Sequence, residues 1–168
     1  MITIRMLNSE DLPAVRRTME AVRSTLTNTA WFIPMPDETM DAMFSDGTTL
    51  TVCGAFEDDE LAAIALIDTD VDEMADLVAA MQLPENTLGG ELGACVVLPA
   101  HRGKNLMYLV CRQLIDEAKQ MGLSFLVASA HPDNAASDRS LRKLGMERRV
   151  TLTRSGSYLR NGYYLPLK

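Results

Sequence analysis

Phe125–Ala130 (FLVASA) is an apolar run without alternation, set between two helical patterns. A strand exposed on one face would alternate polar and apolar side chains, so this one reads as central and covered on both faces. Before it, Leu106, Val110, Leu114, Ala118 and Met121 form one apolar stripe along Lys104–Met121, which Gly122 ends. After it, Asn134–Leu144 reads as a helix closed by Gly145, and upstream Leu92–Val97 reads as a buried strand ended by Pro99. Strands and helices alternating in this way point to a mixed sheet with helices on both faces, an α/β fold.

The remaining segments extend that sheet. Ile2–Met6 alternates as a short strand, and Asn8–Asp11 supplies capping side chains ahead of Leu12, Val15, Met19 and Val22. Asn28–Pro36, with the sole tryptophan Trp31 and with Phe32, is irregular, and Asp37 opens a short helix carrying Met40, Met43 and Phe44. Thr48–Phe56 and Leu61–Ile67 read as an antiparallel hairpin separated by Glu57–Glu60. The acidic Asp68–Pro84 segment is expected to form one extra helix, peripheral to the core and close to an acceptor entrance or a homodimer contact. Met146–Thr153 and Tyr163–Leu167 read as final strands, with a flexible connection over Ser155–Gly162. At 168 residues without repeats, the expectation is a single domain over 1–168.

Apolar residues make up 47% of the chain, as in a soluble globular protein. No stretch approaches the roughly 18 apolar residues of a membrane span. Met1–Leu7 reads as a strand leading into a helix rather than as a secretory leader. Cys53, Cys95 and Cys111 are odd in number and lie in apolar surroundings, so a reducing cytoplasm is the expected compartment. His101 and His131 are the only histidines, and with no Cys-x-x-Cys or His-x-x-x-His spacing no metal site is expected. Residues 1–90 carry 17 acidic and 4 basic side chains, whereas residues 91–168 carry 6 and 12. That asymmetry suggests an anionic ligand for the C-terminal half, and for the other half a cationic partner or simply a solvated acidic surface. A net charge of −7 without a basic stripe argues against nucleic acid.

The chemistry is concentrated in Val97–Leu106, where a strand ends at Pro99, a basic turn follows and a long helix starts at once. A helix start presents unpaired N–H groups and the positive end of its dipole. Gly103 lets backbone approach a ligand, and Arg102 and Lys104 add charge, so the segment reads as an anion site of the pyrophosphate type. An ordinary βα turn with solubilising charges has the same residue content.

Val97-Leu98-Pro99-Ala100-His101-Arg102-Gly103 resembles the GNAT N-acetyltransferase pattern V-x-P-x-x-R-G, which continues as [QR]-x-x-G-x-[GA] from Arg102. Asn105 stands at the first glycine of that pattern, a mild change because asparagine tolerates left-handed backbone, whereas Met107 replaces a glycine or alanine. A second landmark follows in the family's order: Asn134, Ser137, Lys143 and Gly145 fit N-x-x-[AS] and K-x-G-F, with Met146 for the phenylalanine. The resemblance is good over residues 89–168 and extends to element order alone before them.

The resemblance implies a mostly antiparallel sheet splayed between strands four and five, with acetyl-CoA as acyl donor. Cys95, Val96 and Val97 would supply backbone partners to the pantetheine arm. Amides of Arg102, Gly103, Lys104, Asn105, Leu106 and Met107 would hold the pyrophosphate, with Asn134 and Ser137 on the opposite side. Glu91 stands where many members keep a general base, although a solvated strand-edge carboxylate reads equally well. Leu141 occupies the place of the usual tyrosine acid, which leaves Tyr158 or solvent as proton donor. His131 has the titration range of a base but sits in a loop whose role is more often structural. The expected activity is acetyl transfer to a primary amine, with a small-molecule or peptide acceptor that the acidic half biases towards cations. The rival is an inactive acyl-CoA-binding sensor or partner domain of the same fold. A doubly wound nucleotide-binding domain is set aside, since G-x-G-x-x-G and G-x-x-x-x-G-K-[ST] are both missing.

Overall fold

The computed structural model describes residues 1–84 and 86–168. Seven strands form one sheet: β1 (Ile2–Met6), β2 (Leu50–Glu57), β3 (Glu60–Asp68), β4 (Gly89–Val97), β5 (Phe125–Ala130), β6 (Glu147–Arg154) and β7 (Tyr158–Pro166). Five α-helices accompany them: α1 (Leu12–Thr25), α2 (Asp37–Asp41), α3 (Ala75–Ala80), α4 (Leu106–Gln120) and α5 (Ala135–Lys143). The strand order is β1-β2-β3-β4-β5-β7-β6, antiparallel throughout except for the parallel pair β4–β5.

Burial on both faces explains why the central strands lack alternation. Ala63, Ala65 and Ile67 of β3 pack beneath α4 with Val110, Leu114 and Ala118. Ile64 and Leu66 point the other way, against Val15, Met19 and Val22 of α1. In β5, Leu126 and Ala128 join the first of these clusters, while Phe125 and Val127 pack with Leu77 of α3. Each face therefore needs its own helix, which is why these strands are almost wholly apolar. The β2–β3 connection is tighter than the four acidic residues suggest. Both strands run on until only Asp58 and Asp59 turn, each at positive φ.

Two expectations are corrected. The Asp68–Pro84 segment is not peripheral: Met74, Leu77, Met81 and Leu83 are buried, and α3 covers the face shared by β5, β6 and β7. Without it Phe125, Val127 and Tyr164 would lie open, which is the physical reason the segment belongs to the core. Nor is Ser155–Gly162 a flexible connection. β6 continues to Arg154, three residues turn, and β7 begins at Tyr158 with Arg154 opposite it. The strand is disguised by Arg160 and Asn161, polar residues that are nevertheless buried.

Candidate active site

Parallel pairing of β4 with β5 lasts for three residues, Gly89–Glu91 against Phe125–Val127. A Cβ at Gly89 would collide with the Phe125 ring, so glycine permits this close approach. Beyond Glu91 the strands separate. Ala94 takes a left-handed conformation (φ 50°) where the β3–β4 register slips, and a bulge of this kind bends its strand. The result is a cleft of about 460 Å³ between β4 and β5. Trp31 and Phe32, from the segment between α1 and α2, form its wall, and the Trp31 ring lies 6.4 Å from that of His131 after β5.

Met107 lines one side of the cleft, and the turn into α4 lies just before it. Gly103 (φ 81°) and Asn105 (φ 65°) both adopt left-handed backbone and turn the chain into α4. The α4 ladder begins with the Leu109 amide donating to the Asn105 carbonyl at 3.1 Å. Among the described residues, the amides from Gly103 to Tyr108 donate to no protein acceptor. Lys143 Nζ donates to Asn105 Oδ1 (2.9 Å) and fixes that turn. Lys104 and His101 are held by Glu57 at 2.7 and 2.6 Å, and His101 also meets Glu60 at 2.8 Å. Glu57 and then Glu60 raise the His101 pKa. Arg102 is exposed and makes no ion pair among the described residues, which leaves its charge available to a ligand.

Elsewhere the cleft lining is built on an arginine. Arg154, 7% exposed, donates to both oxygens of Glu91 at 2.9 Å and to both oxygens of Asp76 at 2.8 and 3.0 Å. It also reaches Ser129 Oγ and the Glu73 carbonyl, each at 3.0 Å. Burial opposes its charge, but the two carboxylates outweigh burial and raise its pKa. Glu91 keeps 18% of its side chain exposed on the cleft. Burial raises its pKa, against the opposing pull of Arg154.

A family profile described as "Acetyltransferase (GNAT) domain" matches residues 2–147. The chain belongs to the GNAT acetyltransferase family. No curated protein matches it. Solved structures share the fold over nearly the whole chain. An N-acetyltransferase from Staphylococcus aureus is 22% identical with a TM-score of 0.75, covering 100% of this chain and 99% of the other. The ribosomal-protein-S18-alanine N-acetyltransferase from Escherichia coli is 18% identical with a TM-score of 0.72, covering 100% and 95%. A putative acetyltransferase from Salmonella typhimurium, solved with its cofactor acetyl-CoA, is 22% identical with a TM-score of 0.71, covering 99% and 94%. Among the described residues, no helix of this GNAT domain is long and apolar enough to cross a membrane.

Within the GNAT domain, the residues singled out from sequence divide into groups. Cys95, Met107, Asn134 and Ser137 line the cleft together with Glu91. The unpaired edge of β4 includes Cys95, Val96 and Val97, though the Val96 side chain packs on the α1 face and Leu106 is a core residue. Asn134 Oδ1 accepts the Ser137 amide (3.2 Å), so it caps α5 as well as facing the opening. His131 Nδ1 accepts the Asp133 amide (3.1 Å), a loop-stabilising contact. Tyr158 lies outside the cleft. It lines a neighbouring hollow with Arg23 and Leu26, on the far side of Phe32 and Pro34. Arg154 and Arg160 line the cleft and were not foreseen. A strand reading of Tyr158–Gly162, with Ser155–Ser157 as a hairpin turn, would have placed both on one face.

Proposed function

We propose that this GNAT domain transfers the acetyl group of acetyl-CoA to a primary amine, working in the cytoplasm. The observation that carries the reading is the β4–β5 cleft, lined by Met107 of α4, next to a turn of unpaired amides, and by the carboxylate of Glu91. The residues present fit the donor. Amides of Gly103 to Met107 with Arg102 suit a pyrophosphate, and the free edge of β4 suits the amides of a pantetheine arm. Bound acetyl-CoA supplies an activated thioester carbonyl and a thiolate as leaving group. Glu91 is the base: its exposed edge takes the proton that the attacking amine loses, directly or through one water. A C–N bond forms as the C–S bond breaks, and the thiolate takes its proton from water, since Tyr158 faces a different hollow. The free thiols of Cys53, Cys95 and Cys111 support a reducing compartment.

One observation favours binding without transfer. Both oxygens of Glu91 are engaged by Arg154, which weakens a base. Thiol release in the presence of acetyl-CoA and an amine panel decides between the two readings. Calorimetric titration with acetyl-CoA tests the cleft itself, and failure to bind at millimolar concentration would remove both. Arg102→Ala is expected to weaken acetyl-CoA binding by about 1–3 kcal/mol through the lost charge-assisted contact. An unchanged dissociation constant would make the turn purely structural. Tyr158→Phe is expected to leave turnover far above the roughly 10²–10⁴-fold loss that removal of a general acid causes. A loss of that size would instead bring Tyr158 into the reaction as the proton donor.

A further inference from the structure

Arg160 is 3% exposed on β7. Among the described residues its one hydrogen bond goes from Nη1 to the Leu159 carbonyl, 2.8 Å away. The guanidinium carbon stands 5.3 Å from the Tyr158 ring centroid. Among the described residues no carboxylate lies within ion-pair distance of it. Its charged neighbour is another cation, Arg154, whose donors are already taken by Glu91, Asp76, Ser129 and the Glu73 carbonyl. Burial, with Arg154 adding to it, lowers the Arg160 pKa. Arginine does not escape such a site by losing its proton, and a buried charge without a partner is destabilising. Such a group, lining the same cleft as Glu91, is poised for an anion from outside.

The surroundings narrow what that anion belongs to. Asp68 and Glu73 line the same end of the cleft, so negative charge is present for an ammonium group. Asp68 Oδ1 accepts the Asp70 amide (2.9 Å), which fixes that carboxylate in the cleft lining. Phe32 and Met35 supply an apolar wall. We infer that the acceptor is an amine carrying its own carboxylate, of the α-amino-acid type, with Arg160 receiving the carboxylate beside Glu91. This rests on the transferase reading and deepens it. It also replaces the simple cationic acceptor suggested by the acidic N-terminal half, because a polyamine would bring further positive charge against Arg160.

The test compares L-phenylalanine, L-phenylalaninamide and phenethylamine as acceptors by thiol release at saturating acetyl-CoA. The parent is expected to favour phenylalanine over its amide by about 10–100-fold in kcat/KM, the range of one charge-assisted contact. The comparison is demanding, because the amide's amine is less basic and more of it is neutral at pH 7. Arg160→Gln is expected to bring phenylalanine down towards the amide, and Arg160→Lys, which keeps the charge without the fork, to retain part of the preference. Acetyl-CoA affinity serves as the folding control for both variants. Equal use of the three amines by the parent, or an equal fall for all three in R160Q, overturns the assignment. If none is acetylated, calorimetry with N-acetyl-L-phenylalanine and its amide decides. Binding of the carboxylate that is lost in R160Q supports the inference, and indifference or no binding overturns it. Failure of acetyl-CoA to bind sinks the transferase reading instead, so the two failures are distinguishable.

Discussion

Replacing Arg154 with methionine is expected to lower the unfolding free energy by about 3–5 kcal/mol, the usual cost of removing one partner from a buried ion pair. The loss comes from what remains behind. Glu91 and Asp76 each surrender two hydrogen bonds, and Glu91 is left charged with little water to reach it. The contact also ties β6 to α3 and β4, so α3 loses its polar anchor and keeps the apolar one through Met74 and Leu77. Urea unfolding followed by circular dichroism measures the change. Acidity provides an internal check. Burial raises the Glu91 pKa above its ordinary value of 4.5, so the folded state holds that proton more tightly than the unfolded chain does. Stability owed to Glu91 therefore falls as pH rises from 4.5 through the folded pKa, and it returns on acidification. Without Arg154 the Glu91 pKa rises further, so the deficit of R154M should narrow as pH is lowered. A deficit below about 1 kcal/mol at pH 7 would show that water already shields the two carboxylates.

The parts of this architecture that were legible in the sequence share a cause: local pattern and tertiary burial agree. Leu106, Val110 and Leu114 repeat at helical spacing because one side of α4 meets the sheet, and Phe125–Ala130 lacks alternation because both its faces are covered. Asn105 was readable for a different reason, since few residues besides glycine accept its left-handed backbone. What stayed hidden depends on partners distant in sequence. Arg154 meets Asp76 across 78 positions and Glu91 across 63, and no periodicity announces such a pairing. Arg160 and Asn161 made the first half of β7 look like a loop because polar side chains are normally solvated. Asn161 is instead satisfied by the Thr151 hydroxyl at 2.7 Å, and Arg160 faces the cleft. The acidic stretch leading into α3 suggested a surface element, yet the residues that decide its place are Met74, Leu77 and Met81 on its inner side. For Arg154 and Arg160, burial of a polar residue coincides with the cleft lining rather than with a defect in the core.

Glu91→Gln is expected to reduce kcat by about 10²–10⁴-fold, the contribution typical of a general base, with acetyl-CoA affinity unchanged. The substitution keeps the shape of the side chain and one oxygen able to accept from Arg154, while Asp76 continues to hold the other side of the guanidinium. The structural cost is therefore smaller than in R154M. The pH profile separates chemistry from packing. In the parent, kcat/KM should fall as pH drops through the raised Glu91 pKa, because the carboxyl then holds the proton it must accept. In E91Q that acidic limb disappears, and any remaining rise with pH follows deprotonation of the amine. Asp76→Asn is the companion measurement. It withdraws charge from Arg154 on the side away from Glu91, so it should lower stability without removing the base. Turnover near that of the parent in D76N, beside its collapse in E91Q, assigns the proton transfer to Glu91. An equal collapse in both would mean that Glu91 acts by holding Arg154 in place, and that the attacking amine loses its proton to solvent.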